Sequence, residues 1–125
     1  MFQNKFAKAF HIPGTLSANI TISFLVPGPC SLVHISACSS AASDSTLIVG
    51  TSADTNGFLE STVIGVSGTP VEFERADFDG ALLTDAGKEN PRLADGDIFV
   101  ATLDYDGAAG TAGADVTLVF EFTEG

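Results

Sequence analysis

The sequence has no Trp, one Tyr, and only five Lys and Arg residues against sixteen Asp and Glu. Each shortage counts against a class of function. Nucleic-acid binding draws much of its affinity from Lys and Arg that neutralise phosphates, so a chain of net charge −11 at pH 7 is poorly built for it. The same reasoning disfavours docking on an anionic lipid surface. No run of about 20 apolar residues is present, the length that crosses a bilayer as a helix. Nor is there much for a sugar-binding platform to stack with, since Tyr105 stands alone and Trp is absent.

Cysteine and histidine are equally scarce. Cys30 and Cys38 lie eight residues apart on a segment that reads as one strand. At about 3.3 Å per residue they are separated by roughly 26 Å, far beyond bridging distance. Placing Cys30 in the turn at Pro27-Gly28-Pro29 shortens the gap without making a bridge. Two free thiols suit a reducing compartment. His11 and His34 are too few for a zinc site, and Cys38, four residues from His34 on the same strand face, would sit about 13 Å from it. No metal or cofactor is expected.

The start carries Lys5 and Lys8, but His11, Pro13 and Gly14 interrupt the apolar stretch a secretory signal requires. Phe24 to Cys30 resembles a lipobox only superficially, because Pro29 occupies the position that should be small and flexible. The expectation is an untargeted protein made in the cytoplasm.

What the chain does have is apolar content and alternation. Its 125 residues show no break in composition and are 45% hydrophobic, with ten Phe, which matches one domain with one core. Such a length buries roughly two-thirds of its unfolded surface, enough to stand without disulfides. From Thr15 to Val26, apolar Leu16, Ala18, Ile20, Ile22, Phe24 and Val26 alternate with mostly polar residues, predicting a long half-buried strand. Pro27-Gly28-Pro29 ends it. Ser31–Ser39 reads as the next strand, with Val33, Ile35 and Ala37 on one face and Leu32, His34, Ser36 and Cys38 on the other. The short connection predicts that it pairs antiparallel with the first.

Further strands are expected at 46–50, 58–66, 71–75, 98–105 and 116–123. Residues 77–97 read as a long excursion with one turn of helix. Seven to eight strands joined by Gly, Pro, Asn and Asp turns, with no amphipathic helix of ordinary length, predict an all-β fold: an antiparallel β-sandwich, the jelly-roll variety included. Residues 1–14 are expected to be an N-terminal arm and 15–125 the β-sandwich domain.

Chemistry is hard to find. The aspartate-rich turns at Asp54-Thr55-Asn56-Gly57, Asp77-Phe78-Asp79-Gly80, Asp95-Gly96-Asp97 and Asp104-Tyr105-Asp106-Gly107 lack the ligand spacing of a calcium loop and read as Asx and Gly turns. No Gly-x-Ser-x-Gly elbow occurs. Asn19-Ile20-Thr21 has the form of a glycosylation sequon but lies within the first predicted strand. No catalytic residue is assigned, and the protein is expected not to be an enzyme.

In its compact β pattern, its acidity and its small-residue texture the chain resembles the small virion structural proteins of tailed bacteriophages, the capsid decoration type in particular. Ile48 to Asp54, Gly65 to Phe73 and Asp115 to Phe122 carry the likeness. The resemblance implies a β-sandwich that clusters as a homotrimer on the capsid surface, beside the major capsid protein or a neighbouring virion protein, and stabilises the shell. The segment Met1–Gly14 would then be an arm reaching a neighbour. Phe2, Phe6 and Phe10 recur every four residues beside Lys5 and Lys8, a spacing that also suits one face of a short helix. The competing reading is that these phenylalanines cap the chain's own core. The alternative function is a carbohydrate- or receptor-binding β-sandwich of a phage tail or fibre.

Overall fold

The structure, a computed structural model, describes residues 4–66, 68–108 and 110–124. Two antiparallel sheets stack as a sandwich. The strands are β1 (Lys5–Thr15), β2 (Ile20–Leu25), β3 (Cys30–Cys38), β4 (Thr46–Thr51), β5 (Leu59–Val63), β6 (Val71–Phe73), β7 (Arg92–Leu93), β8 (Ile98–Asp104) and β9 (Ala114–Glu124). One sheet has the order β1-β9-β3-β6, with β7 also paired to β3; the other has the order β2-β8-β4-β5. All pairings are antiparallel.

The expected alternation produces the strands, but their boundaries and partners differ from the sequence reading. The strand expected over Thr15–Val26 is shorter, because Thr15 closes β1 and β2 begins at Ile20. The expected antiparallel pairing of β2 with β3 does not form: β2 pairs with β8, and β3 lies in the opposite sheet beside β9. The linker Val26–Pro29 carries the chain from one sheet to the other, with the Val26 N–H donated to Asp97 O at 3.1 Å. Two prolines without N–H donors are poorly suited to a tight hairpin ladder. The helical turn expected within 77–97 sits at the start of that range, as a 3-10 turn at Arg75–Asp77.

β3 shows how a phase conflict is resolved. Its buried residues are Cys30, Leu32, Ile35 and Ala37, which cannot all share one face of a regular strand. A bulge reconciles them: Leu32 lies opposite Phe122 and His34 opposite Glu121, so Val33 is the extra residue. The predicted split, with Leu32 facing away from Ile35, is corrected by that insertion.

The core lies between the sheets. Phe99, Phe120 and Phe122 are fully buried. Phe99 sits 5.0 Å, centroid to centroid, from Phe24 and from Phe120, and 5.4 Å from Phe122. The last two contacts are edge-on, the arrangement ring quadrupoles favour. Phe78, on the excursion after β6, is also fully buried, so that loop contributes a core side chain.

Candidate functional site

The N-terminal segment expected to be an arm is, from Lys5 onward, the edge strand β1. Its register runs from Lys5 opposite Thr123 to Ile12 opposite Val116. Phe2 lies outside the described residues. Because four is a multiple of two, a four-residue spacing places Phe6 and Phe10 on one face of a strand as readily as on one face of a helix. That face is the inner one. Phe6 lies opposite Phe122 and stacks on it at 4.9 Å, and Phe10 lies 6.2 Å from Phe120 and 6.3 Å from Phe24. Both rings are partly buried against the chain's own core.

Lys8 shares that inner face, opposite Phe120, yet remains exposed because β1 is the last strand of its sheet. Its ammonium lies 5.6 Å from the centre of the Phe24 ring, within cation–π range. Lys5 points to the outer face, where Lys5, Phe6, Ala7 and Glu121 line a shallow pocket of about 270 Å³. Of the residues grouped from their spacing, Phe6, Lys8 and Phe10 thus form one strip along the seam between β1 and β2, and Lys5 is on the other side.

A second surface, not singled out from sequence, lies at the far side of the sandwich. β5 carries Glu60, β6 carries Glu72, and the connection after β6 adds Glu74, Asp77 and Asp79, all exposed. Asp79 accepts the Glu60 backbone N–H at 2.9 Å, and Asp77 accepts that of Glu74 at 2.9 Å. Strand order alone brings these acids together, because β5 and β6 are the edges of two different sheets. Next to them His34 stands on the outer face of β3, its Nε2 3.3 Å from Glu72 and its Nδ1 4.0 Å from Glu121.

Of the remaining aspartate turns, Asp104 makes an Asx turn by accepting the Asp106 N–H at 3.0 Å, while Asp97 reaches back to accept the Ala94 N–H at 2.8 Å. Asp44 joins two loops by accepting the Thr111 N–H at 2.7 Å. Asn19 of the sequon accepts the Tyr105 N–H at 3.1 Å. Among the described residues no group of three His, Cys, Asp or Glu is placed to hold a metal ion. A cleft of about 380 Å³ is lined by Thr51, Phe58, Leu82, Glu89, Arg92 and Asp97, among others. Glu89 accepts the Asp85 N–H at 2.9 Å, and Asp97 is committed to Ala94, so both carboxylates there serve turns. Cys30 and Cys38 are free thiols, the first buried.

No family model matches the sequence, and no curated protein matches it. Among solved structures, a chain of the cyanophage Pam1 capsid asymmetric unit is similar over 98% of this chain and 86% of that one, with a TM-score of 0.60 and 14% identity. At that identity the likeness is one of fold.

Proposed function

We propose that the chain is a non-enzymatic structural protein of a bacteriophage virion, one that decorates the capsid surface as a homotrimer and stabilises the shell. The observation that carries this reading is the fold likeness to the Pam1 capsid chain, which extends over nearly the whole length of the protein. The strand orders β1-β9-β3-β6 and β2-β8-β4-β5 support it further. We read this winding, in which the chain passes repeatedly from sheet to sheet, as a jelly roll, an architecture used by capsid proteins. An acidic surface fits a protein that must stay soluble before it assembles. The partner in this reading is the major capsid protein or a neighbouring virion protein.

The test is addition of the purified chain to capsid shells assembled without it, followed by sedimentation and electron cryomicroscopy. Saturable binding at a fixed number of copies per capsomer, with density on the outer surface, is expected. Shells that stay bare at saturating protein would overturn the reading. Calcium-dependent binding on a glycan array would instead favour the receptor-binding alternative.

A further inference from the structure

The two open sides of the sandwich carry unlike charge. On one side, β1 contributes Lys5 and Lys8, with Glu121 of the paired β9 beside Lys5, and β2 contributes no charged residue. On the other, Glu60 of β5, Glu72 of β6 and the following Glu74, Asp77 and Asp79 face solvent, outnumbering Arg75 between them and Arg92 of β7 further along the same sheet edge. Strand order sets these sides at opposite ends of the molecule: β1 and β2 end their sheets at one side, β6 and β5 at the other. Neither lysine forms a salt bridge with a described residue of its own chain. In a chain with only five Lys and Arg, two of them stand on a single edge strand.

We propose that copies of this chain associate head to tail, the β1 edge of one copy seated against the β5/β6 edge of the next. The occupant is a second copy because the chain itself supplies both complementary surfaces. This rests on the assembly reading above only in taking self-association as part of the protein's role. The two symmetric alternatives are electrostatically poor. Pairing β1 with β1 sets lysine against lysine, and pairing the acidic edges sets carboxylates against carboxylates, whereas the head-to-tail contact sets opposite charges together. A contact between two different patches is heterologous, so it closes as a ring or continues as a filament. The overall charge of −11 opposes indiscriminate contact, which leaves this edge pair as the favoured approach. Lys8, an inward-facing charge on an edge strand, and Pro13 at its far end deter unrelated strands from adding to β1.

Sedimentation velocity on the full chain at salt concentrations of about 20 mM and about 500 mM tests this, since the Debye length shrinks several-fold between them. Wild type is expected to self-associate at low salt, with affinity falling about tenfold or more at high salt. The variant Lys5→Glu/Lys8→Glu, and separately Glu60→Lys/Glu72→Lys/Glu74→Lys, should each lose association by a similar factor. An equimolar mixture of the two should recover it, because each then offers what the other lacks. Thermal melts matching wild type establish that the variants are folded. A wild type that is monomeric at both salts, or an oligomer indifferent to both sets of substitutions, would overturn the inference. A monomer that still binds capsid shells overturns this contact and leaves the capsid reading standing. A charge-dependent oligomer that leaves shells bare does the reverse.

Discussion

The Asp115 carboxylate accepts the backbone N–H of Gly14 at 2.7 Å, tying the end of β1 to the start of β9 across the chain. Both residues have positive φ, +79° for Gly14 and +45° for Asp115. The register of the β1–β9 pair shifts here, between Ile12 and Thr15. Ser40 donates a second hydrogen bond to the same carboxylate at 3.0 Å. The Gly14 N–H above all, and then the Ser40 hydroxyl, hold the Asp115 carboxyl below the usual carboxylate range. A folded-state carboxyl more acidic than its unfolded counterpart stabilises fully above the ordinary range near pH 4 and loses that effect as pH falls below it and through the lower folded-state value. Asp115→Asn should therefore lower the thermal midpoint at pH 7, with the gap to wild type closing under strong acid. Asn tolerates the positive φ, so the comparison isolates the charge. Equal gaps at both pH values would show that the charge contributes nothing.

The β3 bulge makes an unusual deletion tolerable. Removing Val33 leaves Leu32, His34 and Ile35 in regular alternation opposite Phe122, Glu121 and Phe120, with every core side chain still inward. Removing Ser36 instead throws Ala37 out of phase with the core. Circular dichroism melts should show a folded ΔVal33 protein and a ΔSer36 protein that is grossly destabilised or fails to fold. The reverse order would contradict the role given to the bulge.

Phe99 anchors the ring cluster between the sheets, touching Phe24, Phe120 and Phe122. Phe99→Ala should cost about 3–5 kcal/mol in urea unfolding, the range for a buried Phe emptied to a cavity. Phe10→Ala should cost less, because Phe10 is only half-buried at the seam. Measured values of equal size would mean that β1 closes over the core more tightly than its exposure suggests.

The two thiols should separate kinetically. Burial pushes the Cys30 thiol up from its ordinary value, an effect that Arg92 partly offsets. Native protein treated with a thiol-specific chromogenic reagent at neutral pH should release one equivalent, from the half-buried Cys38, and a second only on unfolding. Two equivalents released together from native protein would place Cys30 within reach of solvent.

Much of the fold was legible because strand alternation is a local signal. Ile20, Ile22 and Phe24, and again Val116, Leu118, Phe120 and Phe122, announce which side chains turn inward, and the structure places them so. The N-terminal segment was ambiguous because its four-residue spacing satisfies helix and strand alike, and its lysines set it apart in charge from the rest of the chain. The acidic edge escaped notice because Glu60, Glu72 and Asp79 belong to separate segments, and no spacing rule joins them.

Residue type and alternation were enough to read a β protein with an acidic surface whose Phe24, Phe120 and Phe122 turn inward. Those properties depend on residue type and on a period of two. The folded arrangement was needed to show that β2 and β3 part into different sheets, that Lys5–Thr15 is an edge strand paired with β9, and that the two lysines of β1 stand at the opposite side from the acids of β5 and β6. Pairing partners are chosen by contacts between residues far apart in the chain, so the two charged edges exist only once the sheets have closed.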